Sequence, residues 1–186
     1  MKLFFIDTET TGTDPSKNGL IQLSGIIEID GKIEEEVDFK LKPFETDVIL
    51  DSALSVNNIS REELAEYPEP RTIYRNFIAC MVEYIDKFDR SDKFHFVGFN
   101  ARFDDDFMRV WFKKCGDNYY GSFFFWPPID VANIAAVKLM SIREELGNFK
   151  LATVAKYAGI EVDESKLHDS MYDIRLTREL FNALTL

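Results

Sequence analysis

The sequence predicts an α/β fold, a mixed β-sheet with helices on both faces. An apolar run, Leu3-Phe4-Phe5-Ile6, has the character of a strand buried on both sides. Two strand-like stretches, residues 20–29 and 32–41, flank Asp30-Gly31, a dipeptide suited to a tight hairpin turn. From residue 60 onward, helical apolar spacing alternates with short strand signals, the pattern that lays helices against a sheet.

Each element has its own local signal. The first strand turns polar at Asp7, and a loop over residues 12–19 leads into the hairpin. Ser60-Arg61-Glu62-Glu63 has capping-box spacing and predicts a short helix. Ile73, Phe77, Met81, Tyr84 and Phe88 predict a helix over 72–88, separated from the first by Pro68 and Pro70. Beyond it the pattern predicts strand 94–99, helix 102–115, strand 123–126 before Pro127-Pro128, and helices 130–144, 151–157 and 170–184. With no internal repeat, low-complexity tract or break in composition, one domain over residues 1–186 is expected.

A chain of 186 residues with 46% hydrophobic content can bury a substantial single core. No apolar stretch approaches the roughly 20 residues that span a bilayer, and the run from Leu3 stops at Asp7, too soon for a signal-peptide core. No membrane partner is expected. Cys80 and Cys115 fall in predicted helices without metal-type spacing. They read as buried free thiols, which points to a reducing compartment and a cytoplasmic protein.

Three short segments carry the chemistry. In Asp7-Thr8-Glu9-Thr10-Thr11-Gly12 the strand alternation puts Asp7 and Glu9 on one side. Two carboxylates sharing a strand end repel each other unless cations lie between them, and carboxylate oxygens suit hard cations such as magnesium or manganese. In Asn100-Ala101-Arg102-Phe103-Asp104-Asp105-Asp106, an apolar stripe of Phe103, Phe107, Val110 and Trp111 leaves Asp104 at the side of a first helical turn. Acids in a first turn also complement the helix dipole, and spacing does not choose among the three aspartates. Near the end, Asp169 or Ser170 suits an N-cap, which sets Asp173 in or just after a first turn and His168 on the preceding loop. An imidazole with its ordinary pKa of about 6.5 can take a proton from water near neutral pH.

Taken together, these segments resemble the DEDD exonuclease superfamily, the group that includes the proofreading subunit of bacterial replicative polymerase. Phe5-Ile6-Asp7-Thr8-Glu9-Thr10-Thr11-Gly12 matches the first motif, Asn100-Ala101-Arg102-Phe103-Asp104 the second, and His168 with Asp173 the third. The family pattern selects Asp104 over its two neighbours. A tyrosine branch would carry Tyr at the position of Asp169, so His168 resembles the histidine branch.

The resemblance implies a ribonuclease-H-like fold and hydrolysis from the 3′ end that releases 5′-mononucleotides. It implies that Asp7, Glu9, Asp104 and Asp173 hold two divalent ions, Mg2+ or Mn2+, with His168 as general base. Thr10, Thr11, Gly12, Asn57 and Asn100 are the substrate-binding candidates, the first three beside the terminal nucleotide. Residues 53–60 are similar to a family segment that precedes a short helix near the terminal base. Many relatives have His where Phe99 stands, and several where Asn57 stands, departures that touch substrate contacts rather than the ligand set. Asp130 resembles a further acidic family position and equally suits a helix N-cap.

Net charge is −11, which a nucleic-acid enzyme must reconcile with its substrate. Residues 28–51 hold nine acids against three lysines, and the four ligand candidates absorb much of the remainder. The surface around a metal-filled site is therefore close to neutral, and metal-dependent binding is expected rather than tight electrostatic capture. The expected partners are 3′ ends of single-stranded DNA or RNA, together with a polymerase or another protein. Single-stranded DNA exonuclease activity is the leading expectation, RNA trimming the alternative, and a non-catalytic binding module the third. A nucleotide hydrolase of the phosphate-loop type is disfavoured, because no Gly-x4-Gly-Lys-Ser/Thr run is present.

Overall fold

The computed structural model describes residues 1–167 and 169–185. Five strands form one mixed sheet: β1 (Lys2–Thr10), β2 (Leu20–Ile29), β3 (Lys32–Lys40), β4 (His95–Gly98) and β5 (Ile129–Asp130), in the order β3-β2-β1-β4-β5. β1 runs antiparallel to β2 and parallel to β4. The hairpin turns where expected, because Asp30 (φ 50°) and Gly31 (φ 85°) both take the left-handed backbone that a two-residue turn of this twist requires.

Among the described residues seven α-helices cover the sheet: α1 (Asp51–Val56), α2 (Arg61–Glu66), α3 (Pro70–Val82), α4 (Ala101–Cys115), α5 (Val131–Lys138), α6 (Leu151–Tyr157) and α7 (Ser170–Thr185). β1 feeds two cores by alternation. Phe4 and Ile6 join Phe77, Met108, Trp111 and Phe112 of α3 and α4, whereas Leu3 and Phe5 join α5, α6 and α7 through Val131, Val154, Ile174 and Leu180. Complete burial of Phe4 and Phe5 is worth about 2–3 kcal/mol each, so the strand that bears the acids is firmly held. α1 and α2 pack Leu54 and Leu64 against Ile21 in a smaller third cluster.

Several boundaries differ from the sequence expectation. Residues 123–126 make no strand; Phe94 and Phe124 form one isolated bridge, and the edge strand is Ile129–Asp130 beyond the two prolines. Phe123 and Phe124 turn into the core around Phe112 and Phe4, and Pro127 and Pro128 have no N–H to give a ladder. α3 starts at Pro70, whose fixed φ suits a first helical position. It ends at Val82 because Asp86 and Asp89 draw nearby backbone N–H groups into tight turns, leaving Phe88 86% exposed. The helix predicted over 130–144 is α5 followed by a 3-10 stretch, Met140–Glu145.

Ser60 caps α2 by accepting from the N–H of Glu63 at 3.0 Å, as the capping box requires. Cys80 is buried and Cys115 half-buried, both as free thiols. Among the described residues no helix is long and apolar enough to cross a membrane.

Candidate active site

The carboxyl end of β1 is where the acids meet. Alternation along the strand sends Asp7 and Glu9 to the side of Leu3 and Phe5, toward α7 and its Asp173, and sends Thr8 and Thr10 to the α4 side. Asp104 approaches from α4, its Oδ1 accepting from the Thr8 N–H at 2.9 Å and the Thr8 hydroxyl at 2.7 Å.

α4 sits differently on the sheet from its expected apolar stripe. Its buried face is Ala101, Asp104, Asp105, Phe107, Met108, Trp111 and Phe112, so Asp104 lies inside rather than at the side. Phe103 and Val110 are only half-buried. Asp105 also corrects the reading of the neighbouring acids as dipole complements: it is 1% exposed, bonded to the Tyr120 hydroxyl at 2.7 Å and to Arg109 Nε at 2.7 Å. Asp106 remains an exposed acid with its side chain 47% open, 3.7 Å from Arg102. Of the three, Asp104 is the one bonded to β1.

The electrostatics follow from crowding like charges into a part-buried cleft. Burial raises the Asp7 carboxyl well above its ordinary range, and Asp104, Glu9 and Asp173 push it further. Glu9 is raised to about 7 by burial and by Asp173. Burial also raises Asp104, against the two Thr8 hydrogen bonds that favour its ionised form. Asp7, Glu9, Asp104 and Asp173 therefore share one electrostatic field, and a cation among them relieves its strain.

This donor set fits a hard divalent ion, since every candidate ligand is a carboxylate. Among the described residues no three acidic, histidine or cysteine side chains are gathered closely enough to enclose an ion as they stand. Holding one asks the carboxylates to draw in. His168 lies outside the described residues; Asp169, next to it, caps α7 by accepting from the N–H of Tyr172 at 2.9 Å.

The loop beside the cluster is built as a rigid turn. Thr11 is fully buried, with its hydroxyl donating to the Val48 carbonyl at 2.7 Å and accepting from the Gly19 N–H at 2.8 Å. The Thr10 hydroxyl donates to the Gly12 carbonyl at 2.7 Å. A Cβ on Gly12 would stand 2.5 Å from the Asn18 side chain, so a larger residue there would displace the Asn18 amide. Asn57 reaches this loop and donates Nδ2–H to the Thr10 carbonyl at 3.2 Å. Asn100 stands apart from it, exposed in left-handed backbone (φ 64°) at the start of α4. Its N–H donates to Asp130 Oδ1 at 3.0 Å, and the same oxygen accepts from the Ala132 N–H at 2.9 Å to cap α5.

Sequence reasoning passed over Thr8, which holds Asp104, and Ser24, whose hydroxyl meets that of Ser170, the alternative N-cap candidate, at 2.5 Å and ties the start of α7 to β2. The one available signal for Thr8 was its place between two acids, facing the opposite side of the strand. The contact itself left no signal, because 146 residues of sequence separate Ser24 from Ser170.

Comparison with known proteins accords with this architecture. The family profile RNase_T, described as exonuclease, matches residues 4–181. Ribonuclease T of Buchnera aphidicola subsp. Schizaphis graminum is 24% identical over 183 residues, covering 95% of this chain and 79% of that protein. The 3′-5′ DNA exonuclease Cap18 of Escherichia coli is 27% identical over 185 residues, covering 96% and 89%. The zinc-bound E. coli ExoI–ssDNA complex superposes with a TM-score of 0.78 at 22% identity, covering 98% of this chain but 40% of that one, and so shares the ribonuclease-H-like fold. Divalent-metal dependence is general in this family. The chain belongs to the exonuclease family of the DEDD type, whose members are phosphodiester hydrolases acting from the 3′ end.

Proposed function

We propose that residues 1–186 form one exonuclease domain that degrades single-stranded DNA from its 3′ end, with Asp7, Glu9, Asp104 and Asp173 holding two divalent ions, Mg2+ or Mn2+, and His168 as general base. The observation that carries this reading is the approach of carboxylates from β1, α4 and α7 at one strand end, where Asp104, Glu9 and Asp173 raise the proton affinity of Asp7 and Asp173 raises that of Glu9. When bound, two such ions stabilise the attacking and leaving oxygens of an in-line displacement. The remaining work falls to the chain itself. His168 takes a proton from the attacking water as the water oxygen bonds to phosphorus, and the P–O3′ bond breaks, the departing O3′ taking a proton from solvent to leave a 3′-hydroxyl on the shortened strand and a 5′-phosphate on the released nucleotide. Thr8 holds Asp104 in place through two hydrogen bonds. The rigid Thr10–Thr11–Gly12 turn, braced by Asn57, offers a fixed wall for the terminal nucleotide, and Asn100 stands at the mouth of α4.

The DNA preference is supported by the near-complete match to a DNA exonuclease. RNA trimming by the same residues is the second reading, supported by the matches to ribonuclease T from several bacteria. A comparison of 5′-labelled single-stranded DNA and RNA, with Mg2+, Mn2+ or chelator, tests both. The DNA should shorten in single-nucleotide steps, stop with chelator and slow strongly when its 3′ end is blocked. Faster loss of RNA would establish the second reading, and equal cleavage of a closed circular strand would overturn both. His168→Ala should lose on the order of a hundredfold in rate while metal still binds.

A further inference from the structure

A groove of about 500 Å³ lies beside α4, its lining including Lys93, Asp106, Arg109, Gly121, Phe125 and Trp126. The indole of Trp126 is 70% exposed. A single exposed aromatic needs no explanation, but this one is part of a built surface. The Arg109 guanidinium lies 5.1 Å from the Trp126 ring centroid and 4.4 Å from that of Tyr120. Buried Asp105 pins Arg109 through Nε, and the Tyr120 hydroxyl secures the other oxygen of Asp105. Beside it, the Lys93 ammonium sits 5.8 Å from the Phe125 ring centroid and donates to the Gly121 carbonyl at 2.6 Å. The lining sets two cations, Lys93 and Arg109, against one acid, Asp106, with Asp105 buried beneath Arg109 as its counter-ion. On a chain of net charge −11 that is a patch without net negative charge.

We infer that this groove is the track for the nucleic-acid strand behind its 3′ end, with a base stacked on Trp126 and neighbouring phosphates facing Lys93 and Arg109. The inference rests on the exonuclease reading for its substrate and extends it to residues outside the cleft. Cations interleaved with aromatic faces are what a single strand needs, because every base presents a π-face and every link a phosphate. Asp104 and, five residues on, Arg109 share α4 and lie about 8 Å apart along its axis, a distance that a few nucleotides of strand bridge. Stacking of this kind does not distinguish sequences.

The chain has two tryptophans, and Trp111 is 3% exposed, so a change in emission on adding an oligonucleotide reports Trp126. With Mg2+ present and its 3′ end blocked against digestion, oligothymidylate of about sixteen residues should quench that emission; an unchanged spectrum would overturn the track. In turnover, the kcat/KM advantage of that oligonucleotide over one of about four residues should fall about tenfold in Trp126→Ala. In Lys93→Ala the slope of log KM against log salt should fall by about one. Wild-type enzyme that digests both lengths, with a ratio and salt slope untouched by these substitutions, would remove the track and leave the exonuclease reading standing. Wild-type enzyme that digests neither length would remove that reading, while the quenching experiment still reports on the groove.

Discussion

Asp104 and Asp105 are adjacent, buried and chemically identical, yet they do different jobs, and a pair of substitutions separates them. Asp104→Asn keeps an oxygen for the two Thr8 donors, so the fold should survive while turnover falls roughly a hundredfold or more, given that even outer-shell partners of a metal ligand cost ten- to a hundredfold. Asp105→Asn instead weakens the grip on Arg109 and Tyr120. With Arg109 38% exposed, the loss should be about 1–3 kcal/mol of stability rather than the full cost of a broken buried pair, about 3–10 °C in melting midpoint for a chain of this size. Thermal melts and single-turnover rates on both variants check the division; equal rates in the two would refute it. The acids at Asp7 and Glu9 were legible from strand alternation alone. Their partner on α4 was not, because two neighbouring aspartates in a first turn differ only in what they touch, and Thr8 and Tyr120 are 96 and 15 residues away from them in sequence.

Among elements, the hairpin and the capped helices were readable because a few neighbouring residues decide them. The edge strand was misplaced because a run of phenylalanines reads alike whether it forms a ladder or fills a core. α7 was located correctly, but the contacts that fix its tilt span most of the chain: Arg178 pairs with Glu28 of β2 at 2.6 Å, and Arg175 pairs with Glu36 of β3. Glu28 is 4% exposed and, like Asp47 with Lys114, is a paired acid within a largely solvated acidic stretch, so its charge serves α7 rather than solubility. Glu28→Gln should cost about 1–2 kcal/mol, since the Arg178 side chain keeps partial access to water. It should also loosen the helix that delivers Asp173, and hydrogen exchange across residues 170–185 should rise more than in α3. Uniform exchange in both helices would show that α7 is held by its apolar face alone.

For the molecule as a whole, the acidic cluster sets a dependence on pH opposite to that of a salt-bridged carboxylate. Below about pH 4.5 Glu9 is protonated whether the chain is folded or not. Between about 4.5 and 7 the unfolded chain ionises while the folded one resists, so without divalent ion the stability of this region declines as pH rises through that window. Above about 7 the loss stops growing. Mn2+ or Mg2+ binds the ionised form, and its stabilising effect should therefore be larger at pH 8 than at pH 5.5. Melting midpoints with and without Mn2+ at the two pH values check this, and an equal rise at both would remove these carboxylates as the binding groups.

β1 pairs with β2 along its whole length but with β4 only from Leu3 to Phe5. Past that point one border of the central strand has no neighbouring strand, and the carboxylate of Asp104 stands in for it at Thr8. An open strand border normally invites another polypeptide to add itself and begin an aggregate, and inward-facing charge is a means by which proteins refuse it. The acids that make the cleft reactive therefore also keep it from being zipped shut by a stray β-strand.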